Sequence, residues 1–140
     1  MTMLIKLDDE TNLVKSGKDW YIIYHSRIVD ESYLDFHHYQ GWSKETAIYP
    51  KDKSLEYLGL KLCGESGEVA QIIGKWLPGD YELDDEHKEM LKKELGDVAW
   101  YMSQLCTELG LSLDDVFGTN LYKLFDRKAR GVLKGNGDDR

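Results

Sequence analysis

Residues 54–76 read SLEYLGLKLCGESGEVAQIIGKW, and Leu55, Leu58, Leu62, Val69, Ile72, Ile73 and Trp76 recur there with the spacing of one helix face. Pro78-Gly79-Asp80 follows, with turn chemistry that ends the helix. Outward from it, a third helix is expected over about 86–109 on Leu91, Leu95, Val98, Met102, Leu105 and Leu109, capped by Gly110. A fourth is expected over about 113–130, opened by the capping pattern Ser112-Leu113-Asp114-Asp115. On the other side, Tyr33, Phe36, His37 and Trp42 share a face of a first helix over roughly 30–47. It stops at Tyr49-Pro50, because the residue before proline leaves the helical region.

Four amphipathic helices on short connections must cover one another's apolar stripes, so the fold class is all-α, a four-helix bundle. Residues 1–30 differ. Leu4, Ile5 and Leu7, then Trp20 to Tyr24 with Ile28 and Val29, form β-branched and aromatic clusters split by Ser16-Gly17-Lys18-Asp19. That pattern predicts a small β-hairpin or an irregular arm. The expected organisation is an N-terminal extension over 1–30, a helical domain over 31–130 and a mobile, glycine-rich tail over 131–140.

A length of 140 residues, 41% apolar and 31% charged, fits one domain with enough core material to fold. The net charge of -8 argues against a sequence-independent grip on a nucleic-acid backbone, so no stable nucleic-acid binding is expected. There is no apolar run of about 18 residues and no signal-peptide pattern, so the expectation is a cytoplasmic protein with no membrane partner. Cys63 and Cys106 fall within helical patterns and read as free thiols of a reducing compartment. His25, His37, His38 and His87 lack the spacing that would aim two imidazoles at one zinc or iron ion. Nor is there a phosphate-cradling glycine loop or a Ser-His-Asp arrangement.

The acids are more informative. With Leu55 as zero and about 100° per residue, the apolar stripe of the second helix covers roughly 260° to 0°, Glu65 falls near 280° and Glu68 near 220°. On the third helix, with Leu91 as zero, the stripe covers roughly 320° to 60°, Glu94 falls near 300° and Asp97 near 240°. Acids on amphipathic helices are ordinarily solvated surface, and Glu89, with Lys93 four residues on, suits that reading. Glu68 and Glu94 have no basic residue three or four positions away, and Glu65 and Asp97 have one only in the less favourable order. If the two stripes pack together, four carboxylates converge and need a cation. Oxygen ligands without imidazole or thiolate suit Mg2+ or Mn2+, and Mg2+ commonly completes its shell with substrate phosphates.

The fourth helix carries the complementary charge. Asn120, Lys123, Arg127 and Arg130 fall within roughly 80° of one another. Three cations and an amide suit a triphosphate, although a basic last turn also serves the helix dipole. The charge is polarised along the chain: residues 127–140 hold five basic and two acidic side chains, and residues 82–97 hold seven acidic and three basic.

Together, His38-Tyr39-Gln40, Thr46 to Pro50, Leu62 to Ala70, Lys93 to Tyr101 and Asn120 to Gly131 resemble the MazG-like nucleoside triphosphate pyrophosphohydrolases, over about residues 38–140. The two acidic motifs, with 25 residues between Glu68 and Glu94, carry the likeness. The resemblance implies an all-α MazG-like bundle that hydrolyses a nucleoside or deoxynucleoside triphosphate to the monophosphate and pyrophosphate. It implies Mg2+ held by Glu65, Glu68, Glu94 and Asp97, and association as a homodimer or homotetramer. It also implies phosphate contacts from Asn120, Lys123, Arg127 and Arg130, with Tyr39, Trp42 and Tyr49 bordering the base or sugar. The mechanism that fits is water attack on the α-phosphorus, with Glu65 preferred over Glu68 as the proton acceptor. The alternatives are a dUTP-type or phosphoribosyl-nucleotide pyrophosphatase of the same superfamily, and a helical oligomerisation module that binds nucleotide without turnover.

Overall fold

A computed structural model of the chain describes the backbone of residues 2–6, 11–16, 19–24, 27–30 and 34–134, and side chains within 34–134. Four strands come first: β1 (Thr2–Lys6), β2 (Thr11–Ser16), β3 (Asp19–Tyr24) and β4 (Arg27–Asp30). They form one antiparallel sheet in the order β1-β2-β3-β4. The hairpin or arm expected there is thus a four-stranded meander. Its central hairpin pairs Ser16 with Asp19, at the ends of the turn-prone stretch whose Gly17 and Lys18 lie outside the described residues. Ile28 and Val29, which belong to the expected apolar clusters, form the last strand.

The helices are α1 (Phe36–Ser43), α2 (Ser54–Trp76), α3 (Asp85–Glu108) and α4 (Leu113–Ala129), with 3-10 turns at Lys44–Thr46 and Lys51–Lys53. The long first helix expected over 30–47 is therefore two turns of α-helix followed by a tighter turn. It starts late because Asp35 takes the N-cap in extended conformation and accepts from His38 N at 2.8 Å. Residues 31–33 lie outside the described residues. Asp84 repeats the device on α3, accepting from His87 N at 3.0 Å, and in both caps the carboxylate also meets the histidine Nδ1 at 2.7 Å. These contacts hold both aspartates below the usual carboxylate range, the backbone amide contributing most.

α2 ends as its sequence requires, with Gly79 at φ +88° and Asp80 N donating back to Lys75 O. Gly110 at φ +68° closes α3 while Leu111 N reaches Cys106 O, a left-handed cap that favours glycine. At the start of α4, Ser112 occupies the N-cap but makes no side-chain capping bond. Instead Leu113 N donates to Gln40 Oε1 at 2.8 Å, so a residue of α1 caps α4 across the fold. The tail expected to be mobile lies outside the described residues from 135 onward.

α3 packs against α2 and against α1, and α1 against α4. This arrangement redraws the stripes. On α2 the buried positions Leu58, Glu65 and Ile72 form a seam, one edge of the expected stripe, and Leu55 is left exposed. On α3 the buried residues are Ser103, Gln104 and Cys106, while Leu95 and Leu109 face outward, because the helix lies against two neighbours rather than one. A polar network joins α1 to α3: Gln104 Nε2 donates to Ser43 Oγ, which also meets Ser103 Oγ, and Gln40 Nε2 donates to Thr107 Oγ1 and Leu111 O. Cys63 is exposed and Cys106 buried, both as free thiols. No helix among the described residues is long and apolar enough to cross a membrane.

Candidate metal centre

The antiparallel pairing of α2 and α3 brings the two acidic doublets face to face. Glu65, Glu68 and Glu94 each offer a carboxylate oxygen within 4.8 Å of the others. Glu65 lies on the interhelical seam between Leu58 and Ile72 and is only 9% exposed; Glu68, one turn on, is exposed. Asp97 stands outside this tight group and is exposed. Its charge still reaches the centre, as Glu94 shows. Burial, then the charges of Glu68, Asp97 and Glu65 and a hydrogen bond with Glu68, push the Glu94 carboxyl above its ordinary value. A group whose charged form is disfavoured by three neighbouring anions fits a divalent cation, which removes that repulsion. The donor set is all oxygen, as Mg2+ or Mn2+ prefers.

Lys61 was not singled out from the sequence, since lysine four residues before glutamate is the weaker order for a helical pair. In the structure its Nζ lies 3.4 Å from Glu65 Oε1. Glu65 and Tyr101 together hold Lys61 above its ordinary value, the hydrogen bond to Glu65 contributing most.

An apolar recess of about 200 Å³ opens between α1, α3 and α4, lined by Phe36, Tyr39, Met102, Leu113 and Phe117 among others. Phe36 and Phe117 stack at 4.3 Å between ring centres. Tyr39 links the recess to the acids: burial raises its phenol, and the charge of Asp97 raises it further. Trp42 packs on His38 at 4.9 Å. Tyr49 lies elsewhere, buried, with its hydroxyl donating to Glu108 Oε1 at 2.7 Å.

Of the α4 residues, Asn120 is exposed and lies one turn from Phe117 of the recess. Lys123 is half-buried, and Arg127 is buried at 4% exposure. Arg130 is held by Asp126, with Nε and Nη2 at 2.9 and 2.7 Å from Oδ2.

Comparison with known proteins agrees with this geometry. The family model of the MazG nucleotide pyrophosphohydrolase domain matches residues 53–132. The chain is also similar to the Gene 37 protein of Mycobacterium phage L5, 41% identical over 109 residues, which span 73% of this chain and 96% of that protein. No solved structure gives a significant match.

Proposed function

The chain belongs to the MazG nucleotide pyrophosphohydrolase family, and on that premise we propose that it hydrolyses nucleoside or deoxynucleoside triphosphates to the monophosphate and pyrophosphate in a Mg2+-dependent reaction. The observation that carries this reading is the convergence of Glu65, Glu68 and Glu94 within 4.8 Å, with Glu94 pushed above its ordinary value by burial and by the charges of its neighbours. Residues that contributed only to stability would not be gathered this way, because like charges at such a distance destabilise the fold.

In this proposal Glu65, Glu68 and Glu94 hold the ion, and Asp97 contributes from the edge. Bound there, Mg2+ would supply charge neutralisation of phosphate oxygens and a more acidic water. The protein supplies the rest. Glu65 and Glu68 stand beside the reacting phosphate to accept the proton of the attacking water. Tyr39 directs the nucleoside toward the recess, where Phe36, Met102 and Phe117 give the base an apolar bed. Asn120 and Lys123, on the helix that carries Phe117, meet the phosphate chain with an amide and a cation.

A homo-oligomer belongs to the same proposal. Gly59, Gly64, Gly67 and Gly74 lie inside α2 with nothing within 4 Å of an added Cβ. Each costs about 1 kcal/mol against alanine in a helix interior, and no contact among the described residues accounts for them. Leu60 and Leu77 of the same region and Tyr122 and Phe125 of α4 are more than 60% exposed. A second copy covering these surfaces explains both features.

The test is incubation with a panel of common and damaged triphosphates plus Mg2+, measuring monophosphate and pyrophosphate separately from orthophosphate. Monophosphate with pyrophosphate is expected; orthophosphate as first product overturns attack at the α-phosphorus. Glu65→Gln and Asp97→Asn should each lose turnover while circular dichroism stays helical, and full activity in either removes that residue from the metal set.

A further inference from the structure

The acidic centre contains a cation of its own. Lys61 Nζ lies 3.4 Å from Glu65 Oε1 and 5.8 Å from the centre of the Tyr101 ring. The lysine side chain is 47% exposed and that of Glu65 only 11%, so the ammonium reaches a buried carboxylate from the solvent edge. Among the positions one turn away on α2, Tyr57, Leu58 and Gly64 are uncharged, which leaves Glu65 as the local anion on that helix.

We propose that Lys61 is the resident counter-ion of the metal centre: it holds Glu65 while no divalent ion is bound, releases it when one binds, and then turns to a non-bridging oxygen of the bound polyphosphate. The inference rests on the metal-centre reading given above and adds a specific coupling to it. A divalent ion on Glu65 and an ammonium at 3.4 Å from the same oxygen would repel each other strongly in a partly desolvated place. The pair must therefore open. The four-carbon stem and three freely rotating donors of lysine make that movement easy, whereas a planar guanidinium would be harder to redirect. Once displaced, the half-exposed ammonium stays within one turn of the ion, close enough to meet an anion bound to it. A polyphosphate supplies that anion.

Lys61 thus opposes ion binding by itself and favours polyphosphate binding once the ion is present, which is a coupling between two ligands. Calorimetry on the full chain separates the two effects: first Mg2+ alone, then inorganic pyrophosphate at saturating Mg2+, for wild type, Lys61→Met and Lys61→Arg. Lys61→Met should bind Mg2+ more tightly by about fivefold and pyrophosphate more weakly by about the same factor. Lys61→Arg, which keeps the charge, should bind Mg2+ no more tightly than wild type. Unchanged or weaker Mg2+ binding in Lys61→Met, or unweakened pyrophosphate binding, overturns the inference and leaves the metal-centre reading intact. Failure of the wild type to bind Mg2+, with or without pyrophosphate, overturns both.

Discussion

Glu94 and Glu108 lie about four turns apart on α3, both near its contact with the preceding chain, and their surroundings are opposite. Around Glu108, Lys51 Nζ and the Tyr49 hydroxyl donate to one carboxylate oxygen at 2.8 and 2.7 Å, and Ser54 adds a further bond. Those donors, Lys51 foremost, hold Glu108 at about 2. Around Glu94 the neighbours are Glu68, Asp97 and Glu65, and burial together with their charges pushes it upward. One end of the α2–α3 pair satisfies its carboxylate inside the chain. Midway along the pair, Lys61 lies 3.4 Å from Glu65, while Glu94 faces the charges of Glu68, Asp97 and Glu65. Charge of the same kind on the same helix is thus anchored by donors at its C-terminal end and crowded by like charges near its middle.

The largest effect expected from this contrast is a pair of substitutions with opposite profiles. Glu94→Gln should lower turnover by at least about 10³-fold, the scale seen when a member of a concerted catalytic set is removed. In chelator the same variant should melt at a higher temperature than wild type, because a repelled charge has been removed. Glu108→Gln should retain turnover and melt lower. Thermal melts with and without Mg2+, beside a pyrophosphate-release assay, check both. A Glu94→Gln protein that is active, or less stable than wild type without metal, breaks the contrast.

Next in size is the pH dependence of the metal-free protein. Glu94 has a raised value in the folded state, so its charged form penalises the fold, and that penalty is relieved as pH falls through the raised value. Glu108 has a lowered value, so its contribution is complete above its ordinary value near 4.5 and is lost as pH falls from there toward about 2. Melting temperature in chelator should therefore rise on mild acidification from neutrality and fall steeply below about pH 4.5. With Glu94→Gln the rise should shrink; with Glu108→Gln the fall should shrink. A monotonic decline from neutral pH in the wild type contradicts the repulsion assigned to the acidic cluster.

The two sites were not equally legible in the sequence. Glu65 and Glu68 could be placed because α2 announces itself by local periodicity and by Pro78-Gly79-Asp80, and helical angles then put Glu65 in the stripe. The structure keeps it there, buried between Leu58 and Ile72 on the interhelical seam. The Glu108 anchor was invisible, since Tyr49 and Lys51 stand 59 and 57 residues away and no spacing rule connects them. Gln40 capping α4 is another long-range contact of that kind, and it displaced the local capping expected from Ser112. The two-sided burial of α3 depends on where α1 lies, which periodicity within α3 does not encode. The Asp-x-x-His caps at 35–38 and 84–87 are a local pattern that went unread, which is why the first helix was expected to start near 30 rather than at Phe36.

The smallest effect belongs to the anchored end and separates its hydroxyl from its ammonium. Tyr49 keeps its ring in contact with Tyr57, Trp100 and the Lys51 ammonium, which sits 4.2 Å from the ring centre. Tyr49→Phe preserves those contacts and removes only the donor to Glu108. Lys51 still holds the carboxylate, so the variant should lose about 1 kcal/mol by chemical denaturation, the usual net worth of one hydrogen bond. The acid limb of its stability profile should move to higher pH, because Glu108 is held down less firmly. Nothing in this change reaches Glu65, Glu68 or Glu94, so Mg2+ affinity should stay at the wild-type value. A loss of Mg2+ affinity in Tyr49→Phe would mean that the Glu108 anchor and the acidic cluster are one coupled unit rather than two independent solutions to the same charge.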